Sequence, residues 1–150
     1  MQRKGVTPDL AKAIMRTNTT AIGAVAVHRG EADSLICGTF GEYRWHLNYV
    51  NQVLGGDGYD PHGALSLMIL EDGPLFIADT HVYELPTPEI LARTAIGAAR
   101  HVRRFGLEPK IAFCSQSEFG NHSQGSGKRL RAAIELLDAE PRDFTYEGEM

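Results

Sequence analysis

The first third of the chain has apolar residues at helical spacing. Leu10, Ile14 and Met15 follow a Thr-Pro-Asp start at residues 7–9, and these residue types favour the first turn of a helix. The same periodicity predicts helices at residues 20–29 and 43–54. The short apolar run at residues 34–37 predicts a buried strand between them.

The remaining pattern alternates strands with helices. Two apolar runs, at residues 64–70 and 75–78, flank an Asp-Gly-Pro turn and predict a β-hairpin. A helix opens at the Pro-Thr-Pro-Glu segment of residues 86–89 and closes at Gly106. A strand at residues 111–114, a helix at 128–138 and a strand from residue 144 complete the chain.

This alternation indicates an α/β fold. We expect a three-layer α/β/α arrangement with a mostly parallel sheet, to which the hairpin adds an antiparallel pair. Three glycines within residues 55–58 mark a loop or hinge. This loop could separate two lobes.

Charge and cysteine content exclude several classes of protein. The 150 residues carry a formal net charge of −4, so general attraction to nucleic acid or to an anionic membrane is not expected. No run approaches the roughly 18 apolar residues of a membrane span, and the N-terminus does not resemble a signal peptide. Cys37 and Cys114 lie in apolar runs and are predicted to be buried free thiols, as in a cytoplasmic protein. The six histidines show no metal-ligand spacing, so no metal site is predicted.

Polar residues follow two of the predicted strands. Asp79 and His81 come after the second hairpin strand, and Ser115 and Ser117 come after the strand at residues 111–114. Ligands of α/β sheets bind at such strand ends. Asp79 and His81 could either perform acid–base chemistry or hold a loop. Neither serine lies in a GxSxG nucleophile motif, which argues against a hydrolase.

Three cations crowd the start of the last predicted helix. Lys128, Arg129 and Arg131 follow the segment GNHSQGSG, which fails the phosphate-binding pattern GxxxxGK[ST]. Cations are unfavourable near a helix N-terminus unless they face an anion. Two interpretations stay open: a solvated basic face, or a contact with phosphate or coenzyme A.

Many strings along the chain resemble one protein family. They include RTNTTAIGAV at residues 16–25, HRGEAD at 28–33, LICGTF at 35–40, WHLNY at 45–49, FIADTH at 76–81 and YEGEM at 146–150. In this order they resemble the phosphate acetyltransferase-like domain at the C-terminal end of bacterial NADP-dependent malic enzymes. The resemblance implies two α/β/α lobes around a cleft, the first within residues 1–58 and the second within residues 59–150, both incomplete in this chain.

Active members of the family move an acetyl group between coenzyme A and phosphate, and this chain departs from their pattern. Glu42 and Tyr43 stand where those members carry Ser and Thr, and Asn48 replaces an arginine that helps hold phosphate or coenzyme A. The resemblance therefore implies no catalytic residue in this chain. Combined with the strand-end and helix-start residues, the predicted ligand-binding set is Thr39, Glu42, Tyr43, Arg44, Asn48, Asp79, His81, Ser115, Ser117, Lys128, Arg129 and Arg131.

Three functions are compatible with this resemblance. The favoured one is a non-catalytic domain that senses acetyl-CoA, forms homo-oligomers and regulates a malic-enzyme catalytic domain in the same chain, with no cofactor of its own. NADP and Mg²⁺ or Mn²⁺ would belong to that catalytic domain, which converts malate to pyruvate. The alternatives are an active phosphate acetyltransferase and a structural oligomerisation scaffold.

Overall fold

The computed structural model describes residues 5–55, 63–116 and 125–150. These residues form two compact units, one up to Gly55 and the other from Gly63 onward. The predicted lobe boundary at residue 58 falls outside the described residues and stays a prediction. The α/β class is confirmed, because helices occur with both parallel and antiparallel strand pairs.

The first unit contains three helices: α1 (Pro8–Thr17), α2 (Thr19–His28) and α3 (Tyr43–Leu54). Each predicted helix is confirmed. The side chain of Thr7 accepts a hydrogen bond from the Leu10 amide, and the side chain of Asn18 caps α2 at 2.9 Å from the Ala21 amide. Ala21 and Ala24 are fully buried, and such small side chains let α3 pack closely against α2.

The strand predicted at residues 34–37 is wrong. This segment has no regular structure, Ile36 is 97% exposed, and Cys37 is exposed rather than buried. The described part of this unit contains no other strand, so the backbone groups of the segment have no ladder to join. Only Leu35 packs inward, so closely that a Cβ on Gly23 would lie 2.5 Å from its Cδ1.

The second unit begins with the predicted hairpin, which is confirmed. Strands β1 (Leu65–Leu70) and β2 (Gly73–Ala78) pair antiparallel with Leu67 opposite Phe76. Helix α4 (Pro88–Arg104) follows, and the side chain of Thr87 caps it. The ring of Phe76 meets that of Phe105, just after α4, with centroids 5.3 Å apart.

The rest of the second unit is a β–α–β crossover. Strands β3 (Lys110–Phe113) and β4 (Thr145–Gly148) pair in parallel and are connected through α5 (Ser126–Asp138). The core consists of side chains from α4, α5 and β3, namely Leu91, Ala92, Ala95, Phe113, Leu130, Ala133 and Leu137.

The structure of this unit differs from two of the predictions. Among the described residues each sheet has two strands, so parallel pairing is limited to β3 and β4 instead of forming most of a larger sheet. Cys114 is exposed, because it lies just beyond the buried end of β3. No helix in the described ranges has the length and hydropathy needed to cross a bilayer.

Candidate functional site

One candidate site lies at the carboxyl edge of the parallel strands. Ser115 follows β3 and Glu149 follows β4, so parallel pairing brings both to the same edge. The Ser115 hydroxyl donates to Glu149 Oε1 at 2.5 Å, and the Ser115 amide donates to the Met150 carbonyl at 2.7 Å. Ser115, predicted to contact a ligand at this strand end, therefore contacts a carboxylate of the same chain.

Glu149 is a buried charge. Its side chain is 1% exposed, and it is neutralised by an ion pair in which Arg131 donates from its guanidinium to Oε2. Removing a carboxylate from water costs several kcal/mol unless a cation and hydrogen bonds compensate. Arg131 and Ser115 provide both kinds of compensation.

The carboxylate of Glu149 also lies against the first turn of α5. A Cβ on Gly127 would lie 2.6 Å from Glu149 Oε1, so only glycine leaves room for the carboxylate here. The first turn of α5 contains no acidic residue, and its N-cap, Gly125, makes no side-chain capping bond. Glu149 therefore supplies the negative charge that a helix N-terminus favours.

This arrangement explains part of the basic helix start. Cations at a helix start were predicted to be unfavourable unless they face an anion. Arg131 does face an anion, but that anion is Glu149 of the same chain. Lys128 is exposed and Arg129 is half-buried, and for these two the choice between a solvated face and a ligand contact stays open. Sequence reasoning did not select Glu149 as a site residue, although its Gly-Glu dipeptide was among the strings that carried the resemblance.

Asp79 is a strained and partly buried carboxylate after β2. Its φ of 59° lies in the left-handed region, where residues other than glycine are uncommon. Its Oδ1 is buried and has no hydrogen-bond partner among the described residues. Burial raises the pKa of Asp79 above its ordinary value of 3.8. Strain combined with an uncompensated carboxylate is typical of functional positions.

The neighbours of Asp79 close the open end of the hairpin. The Asp79 amide donates to the Ala64 carbonyl at 3.2 Å, and the hydroxyls of Ser66 and Thr80 lie 3.5 Å apart. His81 is exposed in the turn that follows. Both predicted roles of Asp79, acid–base chemistry and loop support, remain compatible with this geometry.

The remaining candidates lie in the first unit around the start of α3. Thr39 and Glu42 are exposed in the segment before the helix, Tyr43 and Arg44 are exposed in its first turn, and Asn48 is exposed one turn later. An open depression on this surface is lined by Phe40, Gly41, Glu42 and Trp45. Of the predicted residues of this unit, Glu42 lines the depression.

A buried histidine beside Gly41 and Trp45 was missed by sequence reasoning. His46 is 6% exposed and lies 2.7 Å from the Thr20 hydroxyl and 2.6 Å from the Phe40 carbonyl. Its position beside Trp45 in a helical pattern gave no signal of a polar contact. Ser117, also predicted, lies outside the described residues, and the described ranges contain no metal-binding group of His, Cys, Asp and Glu.

Comparison with known proteins identifies the family. All of residues 1–150 match the model of the phosphate acetyl/butaryl transferases. The chain belongs to the phosphate acetyl/butaryl transferase family. The resemblance found in its sequence is thereby confirmed.

Relatives of this transferase-family chain divide into two groups. It is 46% identical to an NADP-dependent malic enzyme of Salmonella typhimurium and 43% identical to one of Escherichia coli, over 100% of its own length. It is 30% identical, over 98% of its length, to a phosphate acetyltransferase of Synechocystis. The chain spans about a fifth of the length of these relatives.

A solved structure supports the same family fold. The structure of a phosphotransacetylase from Streptococcus pyogenes matches with a TM-score of 0.85 and 25% identity, covering 99% of this chain and 46% of that one. The mixed α/β arrangement of the described residues is thus the arrangement of part of a phosphotransacetylase.

The Glu149 cluster predicts a stability effect. Replacing Glu149 with Gln removes the charge that compensates Arg131 and favours the start of α5, so we expect the free energy of unfolding to fall by about 2–3 kcal/mol. Urea denaturation measures the change, with exposed Glu147→Gln on β4 as the matched control. If both variants lower the free energy of unfolding by the same small amount, the ion pair contributes no more to stability than an exposed charge does.

The raised pKa of Asp79 predicts a pH-dependent gain from Asp79→Asn. A folded-state pKa above the unfolded value means that the charged carboxylate destabilises the fold, and that this cost disappears as the pH falls toward 3.8. Asn also tolerates the left-handed backbone. We expect Asp79→Asn to be more stable than the parent at pH 7, with a difference that shrinks on acidification.

Urea denaturation across this pH range checks the Asp79 prediction. Asp72→Asn, in the exposed turn of the same hairpin, is the control and should show no such trend. A pH-independent difference for Asp79→Asn would mean that backbone strain, and not the buried charge, determines its stability.

Proposed function

We propose that this chain is a non-catalytic acetyl-CoA-binding domain of a malic enzyme, which regulates the oxidative decarboxylation of malate to pyruvate. The observation that carries this proposal is the depression at the start of α3, whose exposed aromatic side chains suit a coenzyme rather than a phosphate group alone. The higher identity to malic enzymes than to phosphate acetyltransferases supports the context.

The aromatic side chains of the depression are available for stacking. Phe40 is 68% exposed and Trp45 is 42% exposed, a costly arrangement for large apolar groups unless they bind a partner. Stacking of a base on an aromatic side chain contributes roughly 1–3 kcal/mol. The adenine of coenzyme A is a ligand group that such a surface would bind.

The charges around the depression argue against acetyl transfer. Glu42 lines it and is exposed, so its carboxylate repels phosphate or acetyl phosphate where a transferase needs compensating positive charge. Asn48 is neutral at the position where the family resemblance implies an arginine. These departures argue against an active transferase, and the support for binding comes from the exposed aromatic side chains alone.

Calorimetric titration of acetyl-CoA into the full chain tests this proposal. We expect saturable binding that Phe40→Ala weakens by about tenfold through loss of stacking, whereas Phe105→Ala, an aromatic residue 59% exposed in the second unit, leaves it unchanged. Acetyl phosphate and coenzyme A should give no acetyl-CoA. Absence of binding by a folded chain would refute the proposal, and turnover would support the transferase instead.

A further arm of the titration addresses the basic start of α5. Lys128→Ala with Arg129→Ala tests a phosphate contact without disturbing Arg131, whose neutralisation would leave Glu149 buried and unpaired. Weaker binding by this double variant would mean that α5 has an anion contact of its own in the second unit. Unchanged binding would mean that the face is solvated.

Self-association is a second candidate function, because the hairpin exposes apolar side chains. Met68 and Leu75 form a cross-strand pair that is 43% and 47% exposed, on the face opposite the Phe76 ring that meets Phe105. Leu70 and Ile77 lie on the same face as this pair and are 47% and 39% exposed. A contiguous apolar surface of this kind favours association with another protein surface.

Replacing this pair with opposite charges tests the association. Met68→Lys with Leu75→Glu keeps a favourable cross-strand pair, so the hairpin should persist while the apolar surface is lost. We expect light scattering to show a lower molar mass and circular dichroism to stay unchanged. Leu10→Lys on α1, 52% exposed, is the control. An unchanged mass would exclude the hairpin as the association surface.

A further inference from the structure

His46 connects two helices and the loop that bears the depression. It lies on α3, its Nδ1 is 2.7 Å from the hydroxyl of Thr20 on α2, and its Nε2 is 2.6 Å from the carbonyl oxygen of Phe40. Thr20 is 1% exposed and His46 is 6% exposed. Both ring nitrogens are therefore occupied away from solvent.

The chemistry of the partners fixes the direction of these hydrogen bonds. A carbonyl oxygen only accepts, so Nε2 must carry the proton and donate to Phe40. In the neutral ring Nδ1 then accepts from the Thr20 hydroxyl. The Phe40 carbonyl thus selects the tautomer, and the Thr20 hydroxyl orients the ring by donating to Nδ1.

The loop held by this bond has little else to order it. Residues 34–42 form no helix or strand, and their side chains are exposed apart from the half-buried Leu35. Gly38 and Gly41 adopt positive φ values of 97° and 90°, which glycine reaches without strain but also leaves easily. Fixing such a segment has an entropic cost that a strong tether must offset.

The ring of His46 also lies against two residues that line the depression, Gly41 and Trp45. A Cβ on Gly41 would lie 3.3 Å from Nε2, so the loop backbone rests directly on the ring. The Trp45 ring meets the His46 ring edge-on with centroids 4.8 Å apart. The histidine therefore contacts the loop on one side and an aromatic wall of the depression on another.

We propose that His46, oriented by Thr20, is a positioning residue that holds the loop before α3 in its ligand-binding conformation. It is buried and both nitrogens are engaged, so it acts through the loop and not on the ligand. This inference rests on the proposed acetyl-CoA site, and it assigns part of the affinity to preorganisation of residues 38–42.

Two substitutions at His46 separate the tether from the link to Thr20. His46→Gln places an amide nitrogen near the position of Nε2, so it can still donate to the Phe40 carbonyl. His46→Asn reaches only the position of Nδ1, so it keeps an acceptor for Thr20 and loses the tether. Thr20→Val removes the hydroxyl while leaving the donor of His46 in place.

Calorimetric titration with acetyl-CoA and hydrogen–deuterium exchange of residues 34–44 are the two readouts, both on the full chain. We expect His46→Asn to weaken binding by about tenfold and to accelerate exchange in the loop, because the loop must then be ordered on binding. His46→Gln should stay within about threefold of the parent in affinity and retain its protection. Thr20→Val should have an affinity and a loop exchange rate between those of the two His46 variants.

The outcomes distinguish this inference from the function on which it rests. If Gln and Asn at position 46 lower the affinity equally, with equal loop exchange, His46 is a packing residue and the inference is wrong. If the parent does not bind acetyl-CoA, the proposed function fails, and the exchange data still decide whether His46 tethers the loop. Equal exchange in all variants would overturn the tether itself.

Discussion

A buried carboxylate imposes the strongest constraint on the second unit. Glu149 is almost completely removed from water, so its charge has to be compensated by groups of the protein. Compensation comes from Ser115 after β3 and from Arg131 on α5, and Gly127 provides the space. One ionised group thereby fixes the ends of both parallel strands and the start of the helix that connects them.

In the first unit a buried histidine makes the corresponding contacts. His46 contacts the buried Thr20 hydroxyl and the Phe40 carbonyl, while the side chains of Phe40 and Trp45 stay exposed. In each unit a single buried polar residue connects segments that are distant in sequence. Among the residues predicted to contact a ligand, Thr39 and Glu42 lie in the loop beside His46, and Ser115 and Arg131 contact Glu149.

The sequence predicted local structure well where side-chain periodicity decides it. The cap at Thr7, the helix start within residues 86–89, the hairpin and the other predicted helices follow from local rules, and they are present. The predicted strand at residues 34–37 failed because strand formation depends on a partner that local sequence does not reveal. Burial of Cys37 failed for the same reason.

The candidate site was predictable only in part. Strand ends and helix starts marked Ser115 and Arg131, but nothing in their spacing showed that a carboxylate 34 residues from Ser115 would lie between them. His46 was hidden because a histidine in a helical pattern gives no sign of which atoms it will meet. The candidate site is formed by contacts between residues distant in sequence, which the local pattern of residues does not reveal.

The Glu149 contacts also bear on the order in which the second unit folds. Its bonds to Ser115 and Arg131 join residues 34 and 18 positions apart, and each requires β4 to have returned beside β3. Long-range contacts of this kind stabilise the fold only after the intervening chain has closed into a loop. We expect the first turn of α5 to become ordered late, in the same step that docks the final strand.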